Sequence, residues 1–295
     1  YETSTKLGTA EEYFYSAYVK AKQGDYSGAI ADYTKAIELN PNNAKTYNNR
    51  GSAKADLNDY YGAISDYTKA IEIDPNDTYA YNNRGLSKDE LKDYNGAISD
   101  YTKAIEIDPN DADAYLNRGN SKANLKDYNG SISDYNKAIE LDPNDTYAYN
   151  NRGVSKADLK DYYGAISDYN KAIELDPNLA DAYLNRGVSK HKLKDYYGAI
   201  ADYTKAIELD PNDAKAYNNR GLSKDELKDD YGAIADYTKA IEIDPNDSDA
   251  YYSRGDSKLK LKDYNGAISD YNKAIELNPN DADAYLNRGN SKANL

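Results

Sequence analysis

Apolar residues in this chain fall in short stripes and never in long runs. Residues 80–111 read AYNNRGLSKDELKDYNGAISDYTKAIEIDPND, and one stripe within them is Ala97, Ile98, Tyr101, Ala104 and Ile105. The offsets i, i+1, i+4, i+7 and i+8 mark one face of an α-helix. Asp93 precedes this helix as a cap, and Pro109 stops it, because proline has no N–H and restricts the residue before it. A sparser stripe holding Tyr81 and Gly85 predicts an earlier helix, capped by Asp77 and ending near Leu91. A Lys-Asp-Tyr turn joins the two. Helices of about 13 residues are marginal in isolation, so each must stack on neighbours to persist.

The pair is written again and again. The eight prolines, Pro41, Pro75, Pro109, Pro143, Pro177, Pro211, Pro245 and Pro279, stand 34 residues apart, and the eight arginines keep the same step from Arg50 to Arg288. A fixed period of this length is the mark of a solenoid. Residues 1–9 read as an N-terminal extension, followed by eight repeats over 10–281 and the first helix of a ninth over 282–295. Tyr81, Gly85, Ala97, Tyr101 and Pro109 sit at the spacing of the aromatic, Gly, Ala, second aromatic and Pro of the tetratricopeptide repeat (TPR) family, which the chain resembles over 10–295. Arg84 and Lys88 depart from it, standing where Leu and Tyr are usual. The resemblance implies an all-α superhelical solenoid of antiparallel helix pairs. A repeat fold alone names no activity.

Composition narrows the function. The net charge is −14 and the cations are dispersed, so the basic stripe of a nucleic-acid binder is missing. Cys is absent, which removes disulfides, thiol nucleophiles and thiolate metal sites. No apolar run reaches the roughly 18 residues of a membrane span. The first residue is Tyr1, which fits a removed secretory signal and equally a chain begun further upstream. Secreted, cell-surface and cytoplasmic settings all remain open. No nucleophile–base pair, cofactor loop, calcium loop or metal-ligand spacing emerges, and the one histidine, His191, reads as a solvated surface residue. The chain is therefore read as a non-enzyme without metal or cofactor.

Comparing the repeats separates frame from variation. Of 34 tyrosines, most occupy three registers, those of Tyr81, Tyr94 and Tyr101, and read as packing; the seventh repeat departs with Asp230. Gly85 is expected to let its two helices approach closely. Arg84 is expected to clamp Asp66 of the preceding repeat with its planar fork. Variation concentrates at Tyr79, Asn82, Leu86, Asp89 and Glu90 and their equivalents, including Leu116, Tyr147, Val154, Leu184 and Val188, a spacing that shares one helical face. In TPR arrays that face lines a concave groove for extended peptides; a solvated face under weak constraint is the other reading.

Beside it runs a nearly constant row: Asn49, Asn83, Asn117, Asn151, Asn185, Asn219 and Asn287. A carboxamide donates and accepts, so it suits a peptide group. Similar ladders in TPR superhelices grip peptide backbone, although an asparagine could equally tie one helix to the next. The carboxylate clamp of chaperone-tail TPR domains needs a lysine at the Asn82 register, and no repeat has one. The expected partner is a protein or peptide segment held in the groove. The alternative is a structural protein that assembles head to tail into filaments, since residues 280–295 copy 110–125 and leave an interior-type face uncovered, while Phe14, Tyr15 and Tyr18 offer an apolar surface on the first helix. Four sequons, Asn76, Asn129, Asn144 and Asn246, are candidate glycosylation sites, three in the loop between repeats and one in the turn between helices.

Overall fold

The computed structural model describes residues 8–295; residues 1–7, most of the expected extension, lie outside the described residues. Seventeen α-helices and no strand occur among the described residues. Helices of the first kind, A, are α1 (Ala10–Lys22), α3 (Ala44–Asp56), α5 (Thr78–Glu90), α7 (Ala112–Asn124), α9 (Thr146–Asp158), α11 (Ala180–Lys192), α13 (Ala214–Glu226), α15 (Ser248–Lys260) and α17 (Ala282–Ala293). The B helices between them are α2 (Tyr26–Leu39), α4 (Tyr60–Ile73), α6 (Tyr94–Ile107), α8 (Tyr128–Leu141), α10 (Tyr162–Leu175), α12 (Tyr196–Leu209), α14 (Asp230–Ile243) and α16 (Tyr264–Leu277).

The ends of these helices follow from local chemistry. The Ala80 amide donates to Asp77 Oδ1 at 3.1 Å, and the Gly96 amide donates to Asp93 Oδ1 at 3.0 Å, so both aspartates satisfy otherwise orphaned N–H groups. Helix α1 carries a full capping box between Thr9 and Glu12. Helix α11 is the exception, with Leu179 at its cap and no side-chain hydrogen bond there. Each A helix from α5 onward that is followed by a B helix ends in a lysine at positive φ, as at Lys92 (61°), where the first repeat uses Gly24. That left-handed residue reverses the chain into helix B.

The chain divides into two compact halves between Ala148 and Tyr149. In each, A and B of one repeat pack antiparallel and each B packs on the next A. Successive A helices also meet, α1 with α3, α3 with α5 and α5 with α7, and likewise α11 through α17, whereas successive B helices do not. The A helices therefore lie on the inner side of each stack. The tyrosines of the Tyr101 register are the largest fully buried side chains, with alanines such as Ala97 and Ala104 around them. Gly85 is required here: a Cβ would stand 2.6 Å from Tyr101 Cε1, inside any real contact. The expected close approach is thus made between glycine and a tyrosine ring.

Candidate functional site

The frame that holds the inner face is ionic. Arg84 Nε and Nη2 donate to the two carboxylate oxygens of Asp100 at 2.9 and 2.6 Å, and Lys88 Nζ lies 2.7 Å from the same carboxylate. The expected partner, Asp66, is instead taken by Arg50 and Lys54 of its own repeat. Sixteen residues along an antiparallel hairpin bring Arg84 opposite its own Asp100. The preceding repeat offers the next polar group along its B helix, Thr68, whose Oγ1 accepts from Arg84 Nη1 at 3.0 Å while donating to Ile64 O. The arginine does join two repeats, through a hydroxyl and not through a second carboxylate. The departures at Arg84 and Lys88 are one change: two cations and a buried aspartate replace an apolar contact. The guanidinium also lies 5.6 Å over the Tyr81 ring.

On the A helices, Tyr79, Leu86, Tyr147 and Val154 are exposed, at 74, 44, 62 and 36%. Leu116, Leu184 and Val188 are half-buried, and Leu184 packs against the cluster of Ala206, Ile207 and Ala216, so it serves core and surface together. The ladder asparagines are all partly exposed. Asn83 Nδ2 donates to Asn48 Oδ1 at 3.2 Å, Asn185 Nδ2 to Asn150 Oδ1 at 3.3 Å, and Asn287 Nδ2 to the Tyr252 hydroxyl at 3.1 Å and to Asp256 Oδ1 at 3.0 Å. Asn151 Oδ1 accepts from Asn150, and Asn49 lines a cleft with Tyr33. At Asn83, Asn185 and Asn287 the donor of the carboxamide is therefore spent on a neighbouring A helix. Asn117 and Asn219 use only their backbone carbonyls, which accept from Ser121 and Ser223.

Beside the ladder, successive A helices leave a repeated cleft. One, of about 380 Å³, is lined by Tyr18, Ala21, Lys22, Tyr26, Tyr33, Asn49, Ser52, Ala53 and Asp56. The next, of about 200 Å³, is lined by Ser52, Ala55, Asp56, Tyr60, Tyr67, Asn83, Leu86, Ser87 and Glu90, which are the same nine positions one repeat on. The floor of the second is the Tyr67 hydroxyl, which donates to Ser52 and whose pKa burial pushes up to about 12. A third cleft, about 440 Å³, recurs between α13 and α15, where Asp225, Glu226, Lys228, Asp230 and Lys260 line it. There Lys260 pairs with Asp225, and desolvation raises the pKa of Asp230, which the neighbouring Asp225 raises further. Between α5 and α7 the same place holds Asp89, which accepts from Ser121 and from the Tyr101 hydroxyl. Between α11 and α13 it holds His191.

His191 is not the solvated residue expected. Its Nδ1 lies 2.8 Å from Ser223 Oγ and its ring meets Tyr196 edge-on at 5.2 Å. Ser223 Oγ also reaches Asn219 O, and burial lowers the imidazole pKa. The sequence hid this contact because Ser223 is 32 residues away. The buried serines of that register, Ser121, Ser223 and Ser257 among them, were missed for the same reason; their fixed place one residue after the varying Leu86 register was the available signal. All four sequons are exposed, but Asn129 sits in the first turn of α8 and not in the turn before it. Among the described residues no group of three His, Cys, Asp or Glu side chains could hold a metal ion, and no helix is long and apolar enough to cross a membrane.

A stack of antiparallel helix pairs with a fixed A–B clamp and a varied inner face defines a helical-repeat solenoid. The chain belongs to the tetratricopeptide repeat family: matches described as TPR repeat cover 17–58, 90–126, 155–194 and 255–295, and matches described as Tetratricopeptide repeat cover 44–77, 112–145, 180–213 and 214–247, with two more at 66–99 and 236–269. Among solved structures it is similar to YrrB, described as a TPR protein with an unusual peptide-binding site, at 26% identity and TM-score 0.55 over 64% of this chain and 97% of that one. It is also similar to MamA, at 28% identity and TM-score 0.52 over 55% and 94%. A tetratricopeptide repeat protein from Parabacteroides merdae shares the fold at 19% identity and TM-score 0.64 over 84% and 98%. No curated protein matches the sequence.

Proposed function

We propose that this chain is a non-enzymatic scaffold that holds an extended peptide or partner segment along the inner faces of its A helices. The observation that carries the reading is the pair of ladder carboxamides, Asn117 and Asn219, that are partly exposed and make no side-chain hydrogen bond among the described residues. Each can both donate to and accept from a peptide group. On other A helices, exposed Tyr79 and Leu86 of α5 and Tyr147 and Val154 of α9 offer apolar contacts for side chains. The similarity to YrrB, whose description names a peptide-binding site, supports the same class of ligand.

The ladder positions divide into two sets that separate binding from folding. Asn117→Ala and Asn219→Ala are expected to weaken a groove peptide about threefold to tenfold each, the worth of one hydrogen bond, with an unchanged denaturation midpoint. Asn83→Ala and Asn185→Ala are expected to lower both affinity and stability, because they also cut a tie to the neighbouring helix. Unchanged affinity in the first pair rules out the ladder as a peptide grip. Head-to-tail self-association is a second reading, favoured by exposed Tyr15 and Val19 on α1 and Leu286 on α17. Light-scattering mass that climbs with concentration and falls back in Leu286→Glu would move that reading to the front.

A further inference from the structure

We propose that the cleft between α3 and α5 is a pocket for a cationic side chain, so that the segment held in the groove carries lysine or arginine there; this rests on the peptide-binding reading above. Asp56 and Glu90 stand at its two sides, one on each A helix, and neither has a salt-bridge partner among the described residues. Tyr60 and Leu86 supply an aromatic and an aliphatic wall. A lysine or arginine stem lies well along such walls, while the charged head needs the carboxylates at the rim.

The protein itself shows what this cleft favours. At the equivalent place between α1 and α3, Lys22 occupies the position of Asp56, and its Nζ sits 5.6 Å from the Tyr18 ring centroid. Between α13 and α15, Lys260 occupies the position of Glu90 and pairs with Asp225. In both, a lysine of the chain enters the cleft. The cleft between α3 and α5 has Ser52 in place of Tyr18 and Ala55 in place of Asp225, but it offers Tyr60 with Asp56 and Glu90 and has no lysine in its lining. An incoming cation completes it; an incoming carboxylate would meet Asp56 and Glu90.

The test uses the full chain and three labelled octapeptides, alternating Ser–Lys, Ser–Gln and Ser–Glu, read by fluorescence anisotropy at about 0.15 M salt, where only charges within roughly 8 Å act strongly. The Ser–Lys peptide is expected to bind about tenfold more tightly than Ser–Gln, and Asp56→Asn with Glu90→Gln is expected to abolish the difference. Glu72→Gln with Glu106→Gln removes the same charge from exposed B-helix positions and is expected to leave it intact. If the two double variants behave alike, the preference comes from the overall negative charge and the pocket is overturned. A Ser–Glu peptide that binds as well as Ser–Lys overturns it too. Ser–Gln binding that is lost in Asn117→Ala, with no preference for lysine, would overturn the pocket and keep the groove; no binding by any of the three removes both.

Discussion

The clefts between α3 and α5 and between α13 and α15 occupy the same place in two repeats and have opposite character. In the first, Tyr60 is the wall and Asp56 and Glu90 have no salt-bridge partner among the described residues. In the second, Asp230 replaces the tyrosine, and Lys260 is already joined to Asp225. The frame beneath them is the same: Asp66 is held by Arg50 and Lys54, and Asp236 by Arg220 and Lys224, with distances that agree within 0.1 Å. An invariant ionic clamp thus carries interchangeable groove chemistry. Substitutions at the Ala55, Tyr60 and Glu90 positions place an internal ion pair in one cleft and leave the other without one, while the clamp beneath stays the same.

The largest expected effect tests the shared frame. Asp66→Ala and Asp236→Ala each remove a buried carboxylate and strand a half-buried guanidinium and ammonium, and each is expected to cost about 3 kcal/mol in chemical denaturation. Unequal losses would break the claim that the two clefts stand on one frame. Gly85→Ala and Gly221→Ala come next, at about 1–3 kcal/mol, since the added methyl overlaps Tyr101 or Tyr237. Gly289, at the same register but with nothing within 4 Å, should tolerate alanine or gain about 1 kcal/mol from helix propensity.

Lys260→Met sharpens the contrast between the clefts. It frees Asp225 and is expected to cost at most about 1 kcal/mol, the worth of a partly exposed ion pair. In an Asp56→Asn, Glu90→Gln background it should restore part of the Ser–Lys affinity, now at the second cleft. Leu179→Asp supplies the one missing cap and is expected to add about 1 kcal/mol, read as a higher denaturation midpoint.

The smallest effect belongs to His191. Burial lowers its pKa in the folded state below the ordinary 6.5, against the opposing field of Glu226 and with that of Lys192. Its contribution is complete above the unfolded value and is lost as the pH falls through 6.5 toward the folded one, because the unfolded chain takes the proton first. Wild type should therefore lose more stability than His191→Gln between about pH 7.5 and 5.5. Equal losses would mean that the imidazole is solvated after all.

The repeat, its two helices, their caps and the close approach of helices at Gly85 were legible in the sequence because each rests on local spacing repeated eight times. Periodicity turned weak signals into a register that fixed Gly85, Ala97, Tyr101 and Pro109 without any knowledge of the stack. What required the tertiary structure were the pairings across 16, 32 and 35 residues: Arg84 with Asp100, His191 with Ser223, and Asn83 with Asn48. A strict repeat makes every such partner look alike in one dimension, since Asp66 and Asp100 occupy one register. Only the antiparallel approach of A to its own B decides between them. The same holds for the clefts, whose lysines come from a neighbouring repeat in one case and from within the repeat in the other.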